Sequence, residues 1–130
     1  SDDGRVISNF INQALKDENI TIYGDGTQTR SFCFIDDLVD GISKILDSEI
    51  NLDRPINLGN PEEYNVSEIA NKIIDQTCSR SKIVFHELPK NDPLKRKPCI
   101  ESAKNFFSWQ PKVSIDEGIR ETVNYFRSKL

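Results

Sequence analysis

Apolar and polar positions alternate along this chain with two different periods. Val6, Ile7, Phe10, Ile11, Ala14 and Leu15 fall on one stripe at helical spacing and predict a helix over residues 5–15, stopped by the polar run Lys16-Asp17-Glu18-Asn19. Ile20-Thr21-Ile22-Tyr23 is β-branched and aromatic and predicts a short strand. Gly24-Asp25-Gly26-Thr27-Gln28 reads as a turn, because glycine takes positive φ without strain. A second strand over Arg30–Ile35 would make that turn a hairpin. Asp36 is then placed to cap a helix reaching about Leu46.

The second half repeats the alternation. Pro55-Ile56-Asn57-Leu58-Gly59 has the pattern of a buried strand ending in a Gly-Asn-Pro turn. Val66, Ile69, Ala70, Ile73 and Ile74 define an amphipathic helix to about Thr77, and Lys82–Phe85 a further strand. Leu88–Pro98 is a polar, proline-bounded loop carrying Lys95, Arg96 and Lys97. Ile100–Phe107 predicts a short helix, and Trp109-Gln110-Pro111 turns the chain. Ser114, with Glu117 three residues on, has the form of a capping box for a last helix whose inner face is Ile115, Ile119, Val123 and Phe126. Short strands alternating with helices make this an α/β chain.

Composition narrows the function. The chain has 130 residues, enough for one domain with a real core. Its formal charge of −4 argues against a general nucleic-acid binder, which needs a basic face to displace counterions. No apolar run approaches the ~20 residues of a membrane span. Cys33, Cys78 and Cys99 form no CxxC pair, so neither a disulfide framework nor a zinc knuckle is expected. Their usage leans to a cytoplasmic setting, with a Golgi or other membrane compartment open through residues preceding Ser1. Cys33, inside Ser31-Phe32-Cys33-Phe34-Ile35, reads as a small core residue rather than a nucleophile. His86, the single histidine, ends a strand-like run and reads as a surface or boundary residue rather than a base. One His and no Cys cluster also argue against a metal site.

A dinucleotide-binding fold should open with a strand running through GxGxxG into a helix. The paired glycines here, Gly24 and Gly26, lie between two predicted strands instead. Tyr125 and Lys129 fit a Tyr-x-x-x-Lys spacing, but at the chain's end with no glycine loop beside them, so the spacing reads as coincidence.

Four segments carry a resemblance. They are Asp3–Ile11, the Tyr-Gly-x-Gly-x-Gln-x-Arg stretch within Thr21–Phe32, Asn57-Leu58-Gly59-Asn60-Pro61-Glu62-Glu63, and Asp92-Pro93-Leu94-Lys95-Arg96-Lys97-Pro98. Together they resemble the C-terminal part of nucleotide-sugar enzymes of the extended short-chain dehydrogenase/reductase family. The last segment is narrower and is similar to the branch that decarboxylates UDP-glucuronate to UDP-xylose. The resemblance implies an α/β substrate-binding portion over residues 1–130, helices with short strands, and the Rossmann half absent. It implies a UDP-sugar substrate, NAD bound by that N-terminal half together with the catalytic residues, a homodimer in the full enzyme, and no activity in this chain alone. It also implies UDP contacts: Arg30 and Arg96 on the phosphates, the strand Ile20, Thr21, Ile22 and Tyr23 on the uridine, and Asn9 and Phe10 lining the same pocket. Arg suits a diphosphate because its planar fork donates two bonds and keeps its charge. Cys99 stands where the family usually carries Asp. A break at Ser1 would expose apolar surface that packs on the absent half, with the first helix the part most apt to rearrange. A 4-epimerase, a 4,6-dehydratase and a non-catalytic nucleotide-sugar binding module are the alternative readings.

Overall fold

The computed structural model describes residues 5–50, 53–87 and 98–130. Residues 88–97, which include Arg96 and were expected to form a loop, therefore lie outside the described residues. In order, the elements are α1 (Val6–Leu15), β1 (Ile20–Tyr23), β2 (Thr29–Arg30), α2 (Ile35–Leu46), β3 (Tyr64–Asn65), α3 (Val66–Thr77), β4 (Ile83–His86), α4 (Glu101–Phe107) and α5 (Ile115–Arg127).

Two apolar clusters organise them. In the first, Phe10, Ile11 and Ala14 of α1, Ile20 and Ile22 of β1, Val66, Ile69, Ala70 and Ile73 of α3, and Ile119 and Val123 of α5 are buried together. Each fully buried Ile or Val contributes roughly 1.5–3 kcal/mol relative to exposure. The predicted inner face of the last helix is this one, with Ile115 and Phe126 packed at its margin. The second cluster gathers Ile100, Ala103, Phe107 and Trp109, with Cys33, Ile45, Ile56 and Leu58 against it.

Asp37 joins α2 to the segment after α4. Its carboxylate accepts from the backbone N–H groups of Lys112 (3.0 Å) and Val113 (2.9 Å), and its carbonyl accepts from the indole N–H of Trp109 (2.9 Å). A buried carboxylate needs such donors to offset its desolvation.

β1 and β4 pair in parallel, Ile20 opposite Ile83 and Tyr23 opposite His86. β2 pairs antiparallel with β3, Thr29 opposite Asn65 and Arg30 opposite Tyr64. The expected hairpin is thus wrong. β1 prefers β4 because parallel pairing lays Ile20 and Ile22 on α1 and α3, whereas β2 is only two residues long. The expected strand over Arg30–Ile35 stops at Arg30, and Ile35 already begins α2. Nor does Asp36 cap that helix. The N-cap is Phe34, and Asp36 lies in the first turn, where a negative charge still favours the helix dipole. Residues 55–59 form no strand. Ile56 and Leu58 instead pack singly on the second cluster.

Helix ends are closed locally. Ser114 accepts from the backbone N–H of Glu117 (3.2 Å), half of the expected capping box. Just past α1 the chain turns at Asp17, whose φ is +54°. The Asp17 carboxylate accepts from the Arg80 backbone N–H (2.8 Å), and the Ser79 hydroxyl lies 3.0 Å from it and 2.6 Å from the Ala14 carbonyl. These bonds tie the end of α1 to the loop entering β4, and they hold Asp17 below the ordinary carboxylate range, the Arg80 N–H being the largest cause.

Along α2, Ile35, Val39, Ile42 and Leu46 are exposed at spacings of four, three and four. They make one apolar stripe opposite the face that meets the second cluster.

Two outcomes follow. Asp17→Asn keeps a residue that tolerates positive φ but removes the charge. Its melting temperature should fall below wild type at pH 7. The native-state pKa of Asp17 lies below its unfolded value of about 3.9. Its contribution is therefore full above that value and lost as the pH falls through the lowered one, so the two melting temperatures should converge in acid. Among helical glycines, a methyl on Gly118 meets nothing closer than 3.7 Å, whereas one on Gly41 meets Leu58 Cδ1 and Trp109 Nε1 at 3.0 Å. Denaturant melts should show Gly118→Ala stabilising by roughly 0.5–1 kcal/mol. Gly41→Ala should destabilise by about 1 kcal/mol, overpacking outweighing helix propensity.

Candidate functional site

The C-terminal ends of β1 and β4 lie side by side, and open α/β sheets bind ligands beyond such ends. Between β1 and β2 runs the turn Gly24–Gln28, with φ of +93° at Gly24 and +84° at Gly26. Three sets of bonds fix its shape. The Asp25 carboxylate accepts from the Thr27 N–H (3.0 Å) and hydroxyl (2.6 Å), the hydroxyl being the main cause that lowers its pKa. The buried Gln28 side chain donates its amide N–H to the Tyr23 carbonyl. The first turn of α3 donates to the turn: Ser67 N–H (3.3 Å) and hydroxyl (3.2 Å) to the Gly26 carbonyl, and Val66 N–H (3.0 Å) to the Gln28 carbonyl.

β1 divides its residues by parity. Ile20 N–H donates to the Lys82 carbonyl (2.8 Å) and Gly24 N–H to the His86 carbonyl (2.7 Å), so even positions turn their backbone to β4. Thr21 and Tyr23 turn theirs to the opposite edge. There Gln13 of α1 accepts from the Thr21 N–H at 3.2 Å. Asn9 is one helical turn before Gln13 on the same face, half-buried. α1 and β1 are joined by four residues and run in opposite directions, so Asn9 lies toward Tyr23. Asn9, Thr21 and Tyr23 are therefore brought to one edge.

The remaining expected residues divide. The side chains of Ile20, Ile22 and Phe10 are buried in the core at 0%, 1% and 4% exposure, so contacts from them to a ligand would be backbone contacts. Arg30 is half-buried on β2, its Nη1 donating to the Thr29 carbonyl at 2.7 Å. Arg96 lies outside the described residues, but both ends of its loop are placed. The chain leaves β4 at His86 and returns at Pro98, and a methyl on Gly59 would come within 2.8 Å of Pro98 Cγ. Two of the quoted motifs thus meet in space, the Asn57–Glu63 stretch against the end of the Arg96 stretch. Cys99 is exposed beside them.

Gln13, Gln28 and Ser67 were not singled out from sequence. Gln28 belongs to the glycine-turn motif, yet nothing in its spacing discloses that it is buried. Opposite Arg30, Tyr64 donates its hydroxyl to Glu62 (3.1 Å), and burial, followed by that bond and the Glu62 charge, raises its pKa. It stays a neutral phenol rather than a base.

A cleft of about 500 Å³ opens between the start of α1, residues 31–35 and α5, lined among others by Arg5, Ser8, Phe32, Cys33, Thr122 and Tyr125. Burial, with the Asp37 charge second, pushes the Cys33 thiol up, away from a reactive thiolate. Tyr125 and Lys129 form a local pair, the ammonium 5.3 Å from the ring centroid. Among the described residues no group of three or more His, Cys, Asp or Glu could hold a metal ion. None of the described helices is long and apolar enough to cross a membrane.

These residues do not fit a dinucleotide cradle. The glycine turn leads into a strand, and its Gly26 and Gln28 carbonyls already accept the first amides of α3, the groups a pyrophosphate would need.

The fold is that of the α/β epimerase class. The UDP-glucuronic acid 4-epimerase of Bacillus cereus, solved with UDP-glucuronic acid and NAD, superposes with a TM-score of 0.91 at 26% identity, over 98% of this chain and 41% of that one. The UDP-glucose 4-epimerase of Thermotoga maritima, solved with UDP-glucose, gives 0.89 at 28% identity, over 95% and 40%. A sequence model of the NAD dependent epimerase/dehydratase family matches residues 1–66, and the chain belongs to that family. UDP-glucuronic acid decarboxylase 1 of Danio rerio is 45% identical over 98% of this chain, and UDP-glucuronic acid decarboxylase 4 of Arabidopsis thaliana 45% identical over 99%. The chain spans about 30% of the length of these curated relatives.

Gln28→Leu should test the turn. It leaves the Tyr23 carbonyl without its donor and should cost about 1–3 kcal/mol in a denaturant melt.

Proposed function

We propose that these residues form the UDP-sugar-binding portion of a UDP-glucuronate decarboxylase, the enzyme that converts UDP-glucuronate to UDP-xylose. The observation that carries this reading is the close similarity to such decarboxylases along nearly the whole chain, well above the similarity to the 4-epimerases. Its physical support is the fixed turn. Pinned by α3 and Gln28, it presents Arg30 and Tyr23 from adjoining elements, one a permanent cation and the other a flat ring.

In this reading the chain's own residues bind and orient. Arg30 and Arg96 take the diphosphate, while Asn9 and the outer edge of β1 at Thr21 and Tyr23 take the uridine. NAD, when bound, would supply the hydride chemistry needed at C4 of the sugar. Its binding belongs to an N-terminal portion of the enzyme, as do the residues that move protons. The apolar α2 stripe and the 500 Å³ cleft, which share Ile35, offer a surface for that portion. Full enzymes of this kind act as homodimers in the same reading.

Titration with UDP, followed by amide NMR shifts, tests it. Shifts should centre on residues 9, 21–30 and 83–86. Arg30→Ala and Arg96→Ala should each weaken UDP roughly tenfold or more, as expected for charge-assisted bonds. The chain alone should leave UDP-glucuronate and NAD unconverted. Unchanged affinity in either variant removes that Arg from the site, and absence of any UDP shift removes the reading.

A further inference from the structure

We propose that His86 is a further contact for the nucleotide, its ring forming with Tyr23 an aromatic edge that receives the flat base of a nucleoside diphosphate. The inference rests on the UDP-sugar reading above and adds to it a residue from a different strand. His86 is opposite Tyr23 in the parallel ladder, and opposed residues of paired strands project from the same face. The two rings stand 5.9 Å apart between centroids at 54° to one another. That is an open wedge rather than a closed stack, and both residues are exposed, Tyr23 by 42%. The wedge stands at the C-terminal ends of the two parallel strands, where a ligand is expected. Phe85 does not share this role. It alternates to the other face of the sheet, opposite Ile22, and lies against Gly26, where a methyl would sit 3.4 Å from its ring.

The main chain at His86 is held in place. The His86 carbonyl accepts from Gly24 N–H at 2.7 Å, so the end of β4 is fastened to the same glycine turn that orders Tyr23 and precedes Arg30. From His86 the chain also runs, ten residues on, to Arg96. One residue thus touches the turn that leads to one arginine and starts the segment that leads to the other. An imidazole there offers a π face to a base, and a base gains affinity by stacking on an aromatic side chain. The role is that of a contact and specificity residue; no proton is transferred.

Calorimetric titration of the full chain with UDP and, separately, with inorganic pyrophosphate separates base from phosphate contacts. His86→Ala should weaken UDP by about 5- to 20-fold and leave pyrophosphate unchanged, while His86→Phe, which keeps a flat ring, should bind UDP within about threefold of wild type. Because His86 is exposed, both variants should melt as wild type does, and a shifted melt would mark a structural role and overturn the proposal. If wild type binds UDP and His86→Ala binds it equally well, His86 is not a contact and the UDP reading stands. If His86→Ala loses pyrophosphate as much as UDP, the stacking role is overturned. If wild type binds no UDP, both readings fall together.

Discussion

Two carbonyls of a glycine turn and three donors of a helix's first turn meet in this chain, and much else is placed by that meeting. A helix begins with backbone N–H groups that have no partner within it, and a tight turn leaves carbonyls in the same condition. Here α3 gives its Val66 and Ser67 N–H groups and the Ser67 hydroxyl to Gln28 and Gly26. Each side satisfies the other, at a cost of positive φ that glycine meets without strain. The same contact fixes β2 against β3, directs Arg30, and leaves β1 free to pair with β4. A phosphate is thereby denied the Val66 and Ser67 N–H groups at the start of α3.

The second constraint lies within the second apolar cluster. The Trp109 indole is 1% exposed and cannot be buried without a partner for its N–H. Asp37 supplies the acceptor through its carbonyl and uses its carboxylate to gather Lys112 and Val113. Position Gly41, one turn further along α2, has to stay small because Trp109 and Leu58 press on it. The surface ion pair Lys72–Asp116, 2.9 Å long but substantially exposed, adds at most about 1 kcal/mol to the packing of α3 on α5.

Where burial is periodic, the sequence was legible. The stripes of α1, α3 and α5 stood out because each buries one side and repeats, and the strands expected at 20–23 and 82–85 because their residues are mostly β-branched and aromatic. Pairing was not legible in the same way. A glycine turn between two apolar runs looks the same whether its strands pair with each other or each with a distant partner, and the choice fell to contacts with α3. Residues 55–59 alternate like a strand, yet Ile56 and Leu58 reach the second cluster without one, so alternation there reported burial and not a ladder. For Asp36 and Asp37 the pattern could not say which carboxylate would face solvent and which Trp109. For the candidate site the sequence offered residue types and no placement. What spacing could not show is that Phe10, Ile20 and Ile22 are core, while their neighbours Asn9, Thr21 and Tyr23 share the outer edge.

That parity gives β1 its dual use. A strand shows alternate residues to opposite faces, and along its length it also turns alternate backbone groups to opposite edges. In four residues, Ile20 and Ile22 anchor the core and bond β4, whereas Thr21 and Tyr23 address Gln13, Gln28 and the surface. Slipping the register by one residue would exchange the sets, burying a phenol and exposing two isoleucines. The core holds that register firmly, since two fully buried isoleucines would be lost to water together. The positions of Tyr23 and, through the ladder, of His86 therefore follow from packing on the far side of the strand, and their exposed edge needs no stabilisation of its own.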